Sequence, residues 1–245
     1  MLVNLNRNMI KCKRVKYIEQ CSGGCLVFYF DNFNGYRVLK SDFLEGVTAF
    51  FTTRGQASTL TISLGEGIKT ATPQQTHSDH IEFVDERIEY PDTDGLILTK
   101  SKQACYLRFA DCTPLIFYNP KIRIGAVSHA GWRGTAQKIG VKTVEKMGGN
   151  PKDIIAVIGP AIGLCCYEVS DDVRSTLLET VTDHNGLTDG KNVDLKGINA
   201  RQLQEIGVEK IDICHYCTSC NNDLFYSYRR ENGTQNRHFA FLMLS

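Results

Sequence analysis

Three side chains able to ligate a soft metal stand in separate, glycine-punctuated contexts of the 245-residue chain. They are His77 in QQTHSDHI, Cys112 in FADCTPLIFYNP and His129 in IGAVSHAGWRGT. Each adjoins an apolar segment that reads as a buried strand or its end. Two histidines and a cysteine, brought together, make a three-ligand site with a fourth position open. That is the plan of a catalytic zinc, because structural zinc sites usually close with four protein ligands. The first context offers both His77 and His80, an i, i+3 pair that could chelate one metal on a helix. Pro73 and Thr76 favour loop or extended chain there, so a single ligand is expected and position leaves open which histidine supplies it.

The segment around His129 carries further chemistry. A strand delivers His129 to its end, and Ala130, Gly131 and Gly134 allow a sharp turn with room for a ligand. Arg133 is a planar cation suited to a carboxylate or phosphate. Thr135 is placed to cap the next helix, whose N-terminus would attract an anion. The plainer alternative is a structural histidine in a tight turn. A free cysteine such as Cys112 is ordinarily buried and inert. Its neighbour Asp111 needs a partner if buried, and could orient a metal-bound histidine. Asp111 and Glu168 (in GPAIGLCCYEVS) are the candidate acid/base groups, with a plain surface charge the alternative for Glu168. Cys165 and Cys166 would face opposite ways on an extended chain and read as structural. Cys214, Cys217 and Cys220 show the C-x2-C-x2-C spacing of a metal knuckle, but a downstream second C-x2-C pair is absent. Arg54, Arg229, Arg230 and Arg237 sit beside turns and read individually as solvated charges.

Strands and helices must hold these groups in place. CLVFYFDN and YRVLKSD read as strands joined by a turn, and GVTAFFTTRG as a strand entering a glycine turn. SLGEGIKTATPQQTH reads as loop as far as His77. GLILT, ACYLRFA, CTPLIFYN and KIRIGAVSHAG read as four strands. TAQKIGVKTVEKMGG has helical spacing and a glycine stop. PKDIIAVIGPAIG is a strand, and SDDVRSTLLETV and DLKGINARQLQEIGV are helices with Ser170 and Asp194 as N-caps. DLFYSYRRENGTQNRHFAFLML reads as two strands. The alternation predicts a single α/β domain over residues 1–245, with mixed sheets flanked by helices.

Composition narrows the classes. The chain is 42% hydrophobic and 22% charged, with a formal net charge of +1, which is ordinary for a soluble globular protein. That balance argues against nucleic-acid binding. No apolar run reaches membrane-span length, and the N-terminus lacks a signal-peptide core. The ten cysteines are therefore expected as reduced thiols in the cytoplasm.

Together these motifs resemble one family along nearly the whole chain. It is the laccase-domain family, formerly labelled multicopper polyphenol oxidase and known in bacteria as the purine nucleoside phosphorylase or peptidoglycan-editing-factor family. The matching pieces are TTRG, Q-T-H-S, ADCTPLIFYNP, HAGWRGT, IGPAIGLCCYEV, DLKGINARQL, CTSC and FYSYRRENGTQNR. The resemblance implies that His77, rather than His80, joins Cys112 and His129 in binding one zinc ion. It also implies a fold similar to the catalytic domain of cytotoxic necrotizing factor toxins, where a cysteine and a histidine act in hydrolysis. Arg54, Arg133 and Arg237 are expected near the substrate. The end of the chain departs from the family, reading TQNRHF where TGR-M is common.

The implied reaction is phosphorolysis of purine nucleosides, with adenosine deamination and methylthioadenosine phosphorolysis beside it. Purine nucleoside and phosphate are then the expected partners of a monomer or homodimer. A cell-wall-precursor editing amidase and a non-enzymatic metal-binding protein are the alternatives. Copper oxidase chemistry is physically unattractive, because six histidines are too few for a type-1 copper and a trinuclear centre. A His2Cys set can still take up copper adventitiously.

Overall fold

The computed structural model describes residues 28–55, 68 and 70–245. The N-terminal segment, the first residues of the CLVFYFDN run and most of SLGEGIKT lie outside them. Strands β1 (Tyr29–Phe33), β2 (Tyr36–Lys40) and β3 (Val47–Thr52) open the described chain. They are followed by β4 (Thr70–Pro73), β5 (Ile81–Phe83), β6 (Glu89–Tyr90) and β7 (Gly95–Leu98). The long central run gives β8 (Ala104–Phe109), β9 (Thr113–Asn119) and β10 (Ile124–Ala130). Helices α1 (Trp132–Ala136) and α2 (Ile139–Met147) then precede β11 (Ile155–Ile158) and α3 (Asp171–Leu178). The small pair β12 (Thr188–Asp189) and β13 (Asn192–Val193), helix α4 (Leu195–Glu205), β14 (Lys210–Ile213) and β15 (His238–Leu244) complete the order.

Two mixed sheets pack face to face. One has the order β1-β2-β3-β15-β8-β4-β6 and the other β14-β11-β9-β10-β7-β5. Side-chain alternation along β9 explains the layering. Ile116 and Tyr118 pack with Phe51, Leu107 and Leu242 of the first sheet. Leu115 and Phe117 point the other way, onto Ile139, Val144 and Met147 of α2 and Leu203 of α4. A strand buried on both faces reads as a continuous apolar run, and TPLIFYN is buried throughout. Burying one such large apolar side chain contributes about 1.5–3 kcal/mol. Among the described residues no helix is long and apolar enough to cross a membrane.

Four local expectations change. Thr70–Pro73 is a strand rather than loop, because parallel pairing of Thr70 with Ala104 and Ala71 with Cys105 satisfies its backbone. The helix expected from Thr135 onward breaks at Lys138, which adopts a left-handed conformation (φ 58°) between α1 and α2. Thr135 does not cap; it is buried inside the five-residue α1, whose N-cap is Gly131. Its hydroxyl accepts from Asn199 Nδ2 and its carbonyl from Gln202 Nε2. Only the second of the two C-terminal strands forms, because Ser227 and Arg229 are recruited to Asp111 instead. Ser170 occupies the N-cap of α3 without a side-chain cap bond, whereas Asp194 caps α4 by accepting from Gly197 N–H.

Candidate metal centre and cavity

The chain crosses from the first sheet to the second three times near one point. The first and third crossings each deliver a candidate ligand, and the second delivers Asp94. His77 lies between β4 and β5, and Cys112 between β8 and β9. His129 comes from the second sheet itself, next to the end of β10. Register sets its neighbours: His129 pairs with Pro114 of β9, two residues after Cys112. On the other side its N–H donates to the carbonyl of Asp94, 2.8 Å away. The ligand atoms of His77, Cys112 and His129 all lie within 4.8 Å of one another. Cys112 Sγ is 3.8 Å from His77 Nε2, and the two imidazole rings stand edge to face at 4.9 Å. Gly131 makes the approach possible. A Cβ there would come within 3.0 Å of His77 and 3.1 Å of the Cys112 sulfur.

Asp94, which the sequence did not single out, organises this trio. It is fully buried. One carboxylate oxygen meets His129 Nδ1 at 2.8 Å. The other accepts from Thr76 N–H, Ser78 N–H and the Ser78 hydroxyl, at 3.0, 2.8 and 2.9 Å. Those donors flank His77, which sits at a positive φ of 63°. A single anion thus orients one histidine ring and fixes the strained turn that presents the other. The backbone strain of a non-glycine residue there is offset by these bonds. Burial would raise the Asp94 carboxyl, but the bond to His129, its charge and the Ser78 and Thr76 N–H groups hold it down at about 2.

The trio is also charge-paired. Burial opposes ionisation of Cys112, yet the His129 charge and hydrogen bond, with His77, bring its thiol down to about 6. Burial likewise opposes a charge on His129, yet Cys112 and Asp94 push it up to about 9. A thiolate beside an imidazolium is the form in which the proton is already displaced from sulfur, the atom a metal needs. Two imidazoles and a thiolate, with ring orientation fixed by a carboxylate, match the donor chemistry of zinc. His80 is not part of the trio; its Nδ1 bonds the carbonyl of Asp92 at 3.0 Å.

The trio lines a cavity of about 720 Å³. Arg108, Arg133, Arg229 and Arg237 also line it, with Trp132, Tyr167 and Tyr228. Arg133 lies over Trp132, Arg229 over Tyr167 and Arg237 over Tyr228. Among the described residues, arginine ion pairs are made by Arg54, Arg87, Arg174, Arg201 and Arg230. The four cavity arginines are not in that set, so their charge is available to an anion. Tyr167 is pushed up to about 12, chiefly by burial, and keeps its hydroxyl proton as a donor.

Three expected site residues are placed differently. Asp111 does not orient a histidine. It adopts φ 86°, and its carboxylate accepts from Thr218 Oγ1 at 2.5 Å, Ser227 Oγ at 3.0 Å and Arg229 N–H at 2.7 Å. It is a loop clamp beside Cys112, and its oxygens are already engaged. Glu168 is exposed and does not line the cavity; its carbonyl accepts from Arg229. Arg54 does not line the cavity either. It pairs with Glu231, donates to the Phe225 carbonyl and stacks on Tyr226. Asp94, Tyr167 and Arg229 were missed because only register and loop packing bring them in. The one available signal for Asp94 was an acidic residue heading a fully apolar strand.

Residues 54–245 match the family model described as multi-copper polyphenol oxidoreductase laccase. The chain is similar to the purine nucleoside phosphorylase YlmD of Bacillus subtilis, at 37% identity over 189 residues, 69% of this chain and 68% of that protein. In two further relatives named purine nucleoside phosphorylase the matched stretch spans 60% and 59% of their length, under two thirds. It is also similar to the adenosine deaminase RL5 of an unknown prokaryotic organism, at 30% identity over 252 residues, 82% of this chain and 96% of that protein. The solved structure of the Bacillus licheniformis hypothetical protein YfiH superposes with a TM-score of 0.77 at 29% identity, covering 87% of this chain and all of that one.

Proposed function

The chain belongs to the family described as multi-copper polyphenol oxidoreductase laccase, and from that membership we propose that it is a zinc-dependent purine nucleoside phosphorylase that also deaminates adenosine and cleaves methylthioadenosine. One observation carries the reading. Four arginines that have no carboxylate partner among the described residues and three aromatic side chains meet the His77–Cys112–His129 trio in a single cavity. Its volume lies within the range of small-ligand sites. Guanidinium groups suit phosphate because they bind it bidentately. Aromatic walls suit a purine, whose flat face stacks on them. The copper chemistry in the family description is not carried over, since His77 and His129 are the histidines that face the cavity.

His77, Cys112 and His129 would hold the zinc, which supplies Lewis acidity toward water or a substrate oxygen. In phosphorolysis a phosphate oxygen bonds to C1′ while the C1′–N9 bond breaks and its electron pair leaves with the base. Arg133, Arg229 and Arg237 hold the phosphate and offset its charge. Trp132 and Tyr228 flank the base, and the Tyr167 hydroxyl donates to a substrate oxygen or ring nitrogen. In deamination water replaces the amine at C6 and ammonia leaves. Asp94 keeps the His129 ring in one orientation for both reactions. Asp111 and Glu168 receive no acid/base role here, the first because its oxygens are occupied and the second because it lies outside the cavity lining.

Zinc-replete protein incubated with adenosine and phosphate is expected to release adenine and ribose-1-phosphate, and without phosphate to release inosine and ammonia. Absence of all four products, with release of serine from a serine-bearing muramyl nucleotide, would replace this reading with the cell-wall editing one.

A further inference from the structure

Four more thiols meet at a second place. Cys165 and Cys166 come from the loop after β11, and Cys217 and Cys220 from the loop after β14. Their sulfurs all lie within 4.8 Å of one another. Cys220 Sγ stands 3.4 Å from both Cys165 Sγ and Cys166 Sγ. The adjacent pair was expected to face opposite ways, as on an extended chain. The backbone turns instead: the N–H groups of Cys166 and Tyr167 both return to the Gly163 carbonyl, at 2.9 and 3.0 Å. That turn swings both sulfurs to one side. Cys214, the first member of the knuckle-like spacing, is not in the group. It is buried, and burial pushes its thiol up to about 12.

We propose that Cys165, Cys166, Cys217 and Cys220 form a second, structural zinc site closed by four thiolates. Zinc–sulfur bonds of about 2.3 Å place tetrahedral sulfurs roughly 3.8 Å apart, close to the separations found. Backbone pairing holds the two loops in register. Ala161 and Cys217 form a parallel bridge, and Thr218 N–H donates to the Ala161 carbonyl at 3.0 Å. Backbone groups also meet the Cys217 sulfur. Gly163 N–H donates to Cys217 Sγ at 3.2 Å, and the Cys220 backbone hydrogen-bonds the same sulfur. The Arg230 guanidinium binds the Thr218 and Ser219 carbonyls, within the Cys217–Cys220 loop. The four thiol protons are released to solvent on binding.

The consequence for the cavity is mechanical. The first loop carries Tyr167 into the cavity wall. The second carries Thr218, whose hydroxyl binds Asp111 next to Cys112. A metal joining the loops would hold both sides of that wall at once. No cavity is needed at the quartet itself, and with four protein ligands no position is left for a substrate.

The test uses the full chain, purified with zinc under reducing conditions and freed of loose metal. Elemental analysis is expected to give two zinc ions per chain, one for each cluster, falling to one in Cys112→Ala and to one in Cys166→Ser/Cys220→Ser. Cobalt loaded into Cys112→Ala should give the intense sulfur-to-cobalt charge-transfer band of a tetrathiolate. That spectrum decides the matter even if the double variant fails to fold. The exposed Cys220→Ser change, added singly to Cys112→Ala, should remove the tetrathiolate spectrum. A single zinc in the unmodified chain that is lost in Cys112→Ala would overturn the proposal. So would a disulfide within the quartet in thiol counting, or a Cys112→Ala chain that takes up no cobalt.

Discussion

The His77–Cys112–His129 trio and the Cys165–Cys166–Cys217–Cys220 quartet are built on opposite principles, although Asp111 joins them. Asp111 precedes Cys112 in the chain and holds Thr218, between Cys217 and Cys220, through its carboxylate. The trio gathers ligands from three distant chain segments, mixes imidazole with thiol, leans on a buried carboxylate and opens into an arginine-lined cavity. The quartet takes only thiols, from two loops, and leans on backbone N–H groups. The difference teaches that ligand number and surroundings, more than the presence of metal-capable side chains, separate a site for chemistry from a site for support.

The sharpest contrast comes from removing a ligand on each side. Cys112→Ala should reduce kcat/KM for purine nucleoside by about 10³-fold or more, since a bound metal ion supplies several kcal/mol of transition-state stabilisation. The matching change in the quartet should act mainly on thermal stability, and an equal activity loss there would erase the distinction. Asp94→Asn probes the trio one layer out. It keeps the shape but removes the charge that orients His129, so zinc affinity or activity should fall about 10–100-fold, read by metal titration and steady-state kinetics.

Acid unfolding of the metal-free protein should report the same carboxylate. The folded-state pKa of Asp94 is lowered to about 2 from 3.8. Its contribution is therefore present above about pH 4 and is lost as pH falls through 2. Linkage gives about 2 kcal/mol for it, and urea melts across that window should lose this increment in the native chain but not in Asp94→Asn. Arg237→Ala should raise the KM for phosphate about tenfold or somewhat more, the worth of one charge-assisted hydrogen bond, while leaving the zinc content of both clusters intact. Smallest of all, Glu168→Gln should change neither kcat nor KM beyond about twofold, because an exposed charge away from the reacting atoms contributes little. A large loss in that variant would return Glu168 to its place as a candidate acid/base group.

Much of this was legible in the residues. Apolar runs at strand length announced β7, β8, β9 and β10, and glycine punctuation announced where β10 and α2 end. The trio was visible as ligand types beside strand ends, with His77 and His80 separable only through the family resemblance. What could not be read came from contacts between distant segments. Asp94 gains its position from strand register, and Asp111 exchanges an expected histidine partner for Thr218, Ser227 and the Arg229 backbone. The Ser227 and Arg229 bonds also dissolve the strand expected in DLFYSYRR. Arg54 carries the right charge but is taken by Glu231. Cys165 and Cys166 read as inert because adjacent residues diverge on an extended chain, and the tight turn at Gly163 was not encoded in any spacing rule.

On the proposed function, an ion held by the trio is what would make the cavity cleave purine nucleosides. The most direct test of that role is phosphate-dependent release of base from inosine, measured while zinc is stripped from the chain and returned, in the native protein and in Cys112→Ala. Activity should disappear with the zinc, return with its re-addition in the native chain, and stay at background in Cys112→Ala at every zinc concentration. Undiminished turnover by the stripped protein or by Cys112→Ala would contradict it.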